Sequence, residues 1–196
     1  MTEGYIKFKP QWIKEPITIG NKLLAEINQI RSALKAKGYL GVLPNGIGFG
    51  NISIRDGNFD RFIITGSSTG GIPVLENSHL ALVESTFIEE NSLVCRGLTA
   101  ASSESMSHAI IYKTLPSANA VIHIHDSNLW KKNFNLLPTT DPKVEYGTPE
   151  MAFSIQRLII ETNMEQGVLV MGGHENGLIA FGSNLEESLF LLENEL

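Results

Sequence analysis

Apolar residues recur at three- and four-residue intervals through Leu23, Leu24, Ile27, Ile30 and Leu34, a spacing that predicts one helix face. Pro16-Ile17-Thr18 opens that pattern and Gly38 ends it, as glycine often does just past a helix. A glycine-rich passage from Gly41 to Gly50 then runs into Asn51-Ile52-Ser53-Ile54-Arg55, which alternates like a strand. Asp56-Gly57-Asn58 signals a turn into a second strand, Arg61-Phe62-Ile63-Ile64-Thr65. Residues 80–88 and 92–95 predict a hairpin that turns at Glu89-Glu90-Asn91.

The second half has more contrast. Residues 102–114 predict a helix capped by Ser102 or Ser103, with Met106, Ala109 and Ile110 on its apolar side. Ala120-Val121-Ile122-His123-Ile124-His125 is a strand by its β-branched content. Thr148 and Pro149 start another helix in a favourable way, and it carries Met151, Ile155, Leu158 and Ile159. Residues 168–171 and 178–181 are short apolar strands, and Asn184 caps a last helix through Leu192. Helices and hairpins mix without the regular alternation of a parallel sheet. The pattern predicts α+β, or a three-layer α/β/α domain with an antiparallel-rich central sheet.

Composition narrows the class. The 196 residues suit a single domain over 1–196 and can bury a continuous core. With 15 Lys+Arg against 21 Asp+Glu, the net charge of −6 speaks against a nucleic-acid partner, which needs a basic face. One Cys makes no internal disulfide, so nothing demands an oxidising compartment. There is no apolar run of the roughly 18 residues that a membrane span needs. Met1-Thr2-Glu3-Gly4-Tyr5-Ile6-Lys7 lacks a signal-peptide core. The expectation is a soluble, cytoplasmic protein with no membrane partner.

Four of the five histidines, His108, His123, His125 and His174, lie in the second half. His123 and His125 sit two apart on a strand, so both side chains point to one face, where two imidazoles must be to share an ion. Alone, such a pair is more often two polar residues on an exposed face. The strand is otherwise apolar, however, and an unligated pair there would need other partners. His174 follows a strand-like run and precedes Gly177, at a sheet-edge turn. Glu104 falls in the first turn of the preceding helix, as a helix cap or as a general base beside a metal. His108, one turn on, is a partner of that carboxylate or a surface residue. Thr65-Gly66-Ser67-Ser68-Thr69-Gly70-Gly71 is an ordinary glycine-rich turn or a loop that aims N–H groups at an anion. It lacks the Gly-Lys-Ser/Thr ending of a P-loop.

The order Gly50-Asn51-x-Ser53-x-Arg55, then Ile64-Thr65-Gly66 through Gly70, then Ser102-Ser103-Glu104, then Ala120-Val121-Ile122-His123-x-His125 resembles the class II aldolase/adducin family, and within it the fuculose-phosphate aldolases. Tyr146-Gly147-Thr148, and His174 ahead of Gly177-Leu178-Ile179-Ala180, continue the likeness, which runs from about Ile19 to Leu192. The resemblance implies a three-layer α/β/α fold and a divalent metal, usually zinc, held by His123, His125 and His174, with Glu104 as acid/base. It implies a lyase that cleaves a small ketose phosphate or related hydroxy-carbonyl compound through a metal-stabilised enediolate. An epimerase or a dehydratase on the same site is the alternative, as is a non-catalytic adducin-like domain. Asn51, Thr65, Gly66, Ser102 and Ser103 would hold the substrate phosphate, with Ser68-Thr69-Gly70 as another alignment of the loop. Relatives are tetramers, which implies a homo-oligomer here.

Three departures stand out. No tyrosine falls in the segment 126–145, where family aldolases keep a proton donor. The chain stops at Leu196, soon after the last helix, without the tail that closes over the substrate in some relatives. The family's His-Gly ahead of the final strand is His174-Glu175-Asn176-Gly177 here, so Asn176 is the positional match and His174 lies two residues earlier. The segment around Leu129, Trp130, Phe134, Leu136 and Leu137 reads as a loop that either joins an interface or folds back on its own core.

Overall fold

The computed structural model describes residues 6–57 and 60–195. The leader reading over Met1–Tyr5 and the Asn58 turn position lie outside them. Ten strands and five helices follow in chain order. These are β1 (Lys9–Ile13), α1 (Asn21–Ala36), β2 (Gly41–Val42), β3 (Gly48–Phe49), β4 (Asn51–Arg55) and β5 (Phe62–Thr65). After a short 3₁₀ turn come β6 (Leu80–Phe87), β7 (Ser92–Arg96), α2 (Ser105–Thr114), β8 (Ala120–His125) and α3 (Ser127–Asn133). The chain closes with α4 (Pro149–Thr162), β9 (Gly167–Val170), β10 (Gly177–Gly182) and α5 (Leu185–Asn194).

Eight strands form one sheet in the order β1-β7-β6-β5-β4-β8-β10-β9. Among the described strands of this sheet only the β1–β7 pair is parallel, so the sheet is largely antiparallel, as the hairpin signals predict. The pleat sends alternate residues to opposite faces. Val121 of β8 packs with Met106, Ala109, Met151 and Ile155 of α2 and α4. Ile122 and Ile124 pack with Ile27, Ile30 and Leu34 of α1 and Leu185 and Leu192 of α5. Helices thus cover both faces of the sheet. Period-two alternation puts His123 and His125 on the α2 side, together with Asn51 and Ser53 of the neighbouring β4, whose Asn51 sits opposite His123.

Several boundaries differ from expectation for identifiable reasons. The first helix starts at Asn21, with Gly20 extended before it, because the Ile19 N–H is held by the Asn77 side chain at 3.1 Å and keeps the segment out of the helix. The second starts at Ser105, so neither Ser102 nor Ser103 is its cap; the Ser102 carbonyl is turned back to the Ser105 N–H (3.1 Å) and Oγ (2.7 Å). The segment after β8 is a helix, α3, capped by the Asp126 side chain on the Leu129 N–H (2.7 Å). Leu129, Trp130, Phe134 and Leu137 pack on the α1/α5 core and Trp130 donates to the Met171 carbonyl (3.0 Å), leaving Leu136 exposed. That apolar run folds back on its own core.

Candidate metal centre and anion cup

The sheet and two turns bring three histidines to one point. His123 and His125 arrive on β8, with their Nε2 atoms 2.9 Å apart. His174 arrives on the β9–β10 turn, which is closed by His174 N–H to Met171 O (3.1 Å) and Gly177 N–H to His174 O (2.9 Å). Its ring stacks on His123 at 5.2 Å and meets His125 edge-on at 4.7 Å. One ligand nitrogen from each of the three lies within 4.8 Å of the others. Asn176, the positional match to the family histidine, instead takes a positive φ of 71° and accepts the Asp126 N–H on its carbonyl (2.9 Å). Gly177 is required beside it, because a Cβ there would lie 2.7 Å from His174 Cδ2.

The chemistry of this donor set fits a divalent ion. His123 donates Nδ1–H to the Leu178 carbonyl (3.0 Å), which leaves Nε2 with its lone pair facing His125. Burial and the neighbouring His125 hold His123 and His174 well below the ordinary imidazole range, and burial lowers His125 to about 4. All three are therefore neutral at physiological pH, the form a metal ligand must have.

Glu104 stands at the head of α2, 1% exposed, and makes no capping bond to its own helix. Its Oε2 accepts from Ser107 Oγ (2.8 Å) and its Oε1 lies 3.7 Å from His174 Nε2. Glu104 is thus the N-cap residue of α2 by position, without a side-chain capping bond. His108 matches neither expectation for it. It is wholly buried, its Nδ1 2.6 Å from Ser53 Oγ, and Ser53 Oγ lies 2.7 Å from the Tyr112 hydroxyl. Burial alone lowers His108 to about 3 and also raises the Tyr112 phenol. Tyr146, which the sequence places only as the lead-in to α4, is a wall of the site. Its ring stacks on His174 at 4.4 Å, and Lys7 Nζ sits 3.7 Å from the ring centre.

A second concavity adjoins the histidines. Gly48, Phe49, Gly50 and Asn51, Gly66 through Gly70, and Ser102 and Ser103 line it. Of the five residues expected to hold an anion, Asn51, Gly66, Ser102 and Ser103 lie here. Thr65 does not: its Oγ1 accepts the Ile52 N–H (3.1 Å) and ties β5 to β4. The loop residues that face the cup are Ser67 to Gly70, so the Ser68-Thr69-Gly70 alignment describes it better. Ser68 holds a positive φ of 61°, a left-handed conformation costly for a serine. The cup and the histidines share a border three times over. Asn51 pairs with His123, the Phe49 ring lies 5.5 Å from that of His125, and Ser103 precedes Glu104.

The family model for the class II aldolase and adducin N-terminal domain matches residues 45–194. The chain belongs to this family. Its fold is that of solved class II aldolases. L-fuculose 1-phosphate aldolase superposes with a TM-score of 0.68 at 20% identity, over 89% of this chain and 82% of that one. YgbL of Klebsiella pneumoniae, described as a candidate aldolase/epimerase/decarboxylase, gives 0.63 at 19% identity, over 89% and 84%. The L-fuculose 1-phosphate aldolase of Glaciozyma antarctica PI12 gives 0.59 at 16% identity, over 93% and 76%. No curated protein matches the chain significantly. Among the described residues, no helix is long and apolar enough to cross a membrane.

Proposed function

We propose that this class II aldolase-family chain is a metal-dependent carbon–carbon lyase acting on a small ketose phosphate or a related hydroxy-carbonyl compound. The observation that carries the reading is the shared border of the two half-sites: a three-histidine cluster with a buried carboxylate on one side, and a cup of hydroxyls and backbone on the other. A substrate with an anionic end and a hydroxy-carbonyl end fits that pairing. His123, His125 and His174 would hold the ion, with zinc the first choice for three imidazoles and other first-row metals also accommodated. When bound, such an ion supplies positive charge opposite a carbonyl oxygen.

The rest of the work falls to the chain's own groups. Glu104, anchored by Ser107 through Oε2, holds or moves a proton at Oε1. Asn51, Gly66, Ser102, Ser103 and the 67–70 backbone seat the anion. His123 is oriented by the Leu178 carbonyl, and Tyr146 and Gly177 fix the ring of His174. The reading extends to a cytoplasmic homotetramer, as the family likeness suggests. The segment 126–145 carries no tyrosine to act as the aldolase proton donor, and a second reading on the same ligands is an epimerase or a dehydratase, which would use the same metal-held enolate or its retro-aldol halves.

Screening ketose phosphates for aldehyde release tests the lyase reading, with Glu104→Gln as the control. The variant is expected to keep its metal and lose about 10²–10⁴ in turnover, the usual worth of a positioned proton-transfer group. Unchanged turnover in Glu104→Gln would remove the carboxylate from the reaction. Epimer formation without aldehyde would favour the second reading.

A further inference from the structure

Behind the cup lies a pair of cations with no countercharge among the described residues. Arg31 is wholly buried on the apolar face of α1, between Ile27, Ile30 and Leu34. Its Nη2 donates to the carbonyls of Thr69 (3.0 Å) and Ile72 (2.9 Å), while Nε and Nη1 find no partner among the described residues. One turn on, Lys35 Nζ donates to the carbonyls of Gly71 (3.0 Å), Ile72 (3.3 Å) and Gly70 (3.4 Å). No carboxylate among the described residues pairs with either. Burial lowers Arg31 to about 10, and burial with the Arg31 charge lowers Lys35, so each cation is held by carbonyl hydrogen bonds with no ion pair among the described residues to offset its burial.

Both cations grip the carbonyl side of the loop, and the cup lies on its other side. In a trans peptide the C=O and the next N–H point in opposite directions. With the Thr69 carbonyl drawn to Arg31, the Gly70 N–H is turned away from α1. The N–H groups of Ser68 and Gly70, both lining residues, have no acceptor among the described residues, whereas those of Gly66, Ser67 and Thr69 are taken by His79, Ala100 and Gly66 carbonyls. Gly70 admits no side chain, since a Cβ would lie 2.4 Å from the Gly41 carbonyl oxygen. Asn51, 6% exposed and lining the cup, has a side-chain oxygen with no partner, an acceptor that would take a hydroxyl of the substrate and not the anion itself.

We propose that Arg31 and Lys35 are positioning residues for the bound anion, orienting and polarising the loop peptides from behind and making the cup select a dianionic group, such as a phosphate monoester, over a carboxylate. This rests on the reading of the cup as the seat of the substrate's anionic end. It also explains how a cup lined by neutral groups attracts a dianion: the positive charge stands one peptide away, where it cannot compete with the substrate for hydrogen bonds.

The test is calorimetric titration of the full chain with inorganic phosphate and with acetate, at matched ionic strength and about pH 8, where phosphate is chiefly the dianion. Arg31→Met is expected to weaken phosphate binding about tenfold or more and Lys35→Met about threefold or more, with acetate binding unmoved. Arg31→Lys should recover most of the phosphate affinity. Melting temperatures in chloride read any structural cost separately. A folded Arg31→Met or Lys35→Met protein with wild-type phosphate affinity overturns the inference, and so does a wild type that takes acetate as well as phosphate. If Arg31→Met does not fold, Lys35→Met, on a partly exposed side chain, decides alone. Metal content of the same proteins separates the two claims. Wild-type protein that holds metal but no phosphate would sink this inference and leave the histidine site standing.

Discussion

His108 is wholly buried and has no charge partner among the described residues; it is held neutral by its surroundings, with Ser53 Oγ at 2.6 Å and, through it, Tyr112. Folding lowers its pKa from 6.5 to about 3, so between those values the unfolded chain binds the proton and the folded chain does not. Stability is therefore complete above about pH 6.5 and falls as the pH drops toward 3, by on the order of 1.4 kcal/mol per pH unit per such group. Urea midpoints of metal-stripped protein between about pH 6 and 4 should fall more steeply for wild type than for His108→Gln. The other buried histidines are common to both proteins, so equal slopes would mean that His108 is not the group responsible. The same scale shows what sequence reading overlooks. His108 and Arg31 each stand on a face whose neighbours are apolar, and Arg31 falls on the Ile27-Ile30-Leu34 stripe itself. A charge in a helix's apolar stripe is a legible signal, but which backbone carbonyls it reaches depends on a loop some forty residues away.

At the scale of elements, strands and helices with a clear period were legible. Residues 51–55, 120–125 and the α4 start carry alternation or a Thr-Pro cap, and the structure places them where the pattern does. β1 was not legible, because Lys9, Pro10 and Gln11 are exposed and only its parallel pairing with β7 defines it. α3 has seven residues and too few turns for a period to register, although the Asp126 cap was there to be read. The place of His174 is also an element-scale matter: the β9–β10 turn, closed through Met171 and Gly177, brings its ring to those of His123 and His125. Gly177→Ala tests this directly. No positive φ forbids alanine, so the fold should persist, but the new Cβ would press on the His174 ring at 2.7 Å. The expected outcome is a soluble, folded protein with sharply reduced metal content by elemental analysis. Full metal retention would show that the ring has room to move and that the turn does not dictate the ligand's position.

Across the whole molecule, the histidine cluster lies on the α2 side of a sheet whose two faces each carry an apolar core. One core packs α2 and α4 on the sheet and the other packs α1, α3 and α5 on the opposite face. Each fully buried Leu, Ile or Phe side chain contributes about 1.5–3 kcal/mol. Such a fold differs from small metal domains whose ligand site is most of the core. Removing an ion should therefore lower stability without unfolding the chain. Because ligands that bind only the native state stabilise by mass action, saturating zinc at about 100 times its dissociation constant should add roughly 2.7 kcal/mol. For a chain of this size that corresponds to a rise in melting temperature of about 5–10 °C. His125→Ala should melt close to the chelated wild type and show no rise with zinc, since two imidazoles hold an ion far less tightly than three. His174→Ala should behave the same way, which separates the displaced histidine from Asn176 as the third ligand. If His125→Ala keeps the full zinc-dependent rise, the ion is bound elsewhere and the histidine site is only a cluster of neutral imidazoles. If chelation unfolds the wild type, the two cores contribute less than their burial implies, and the metal is a structural element of the fold.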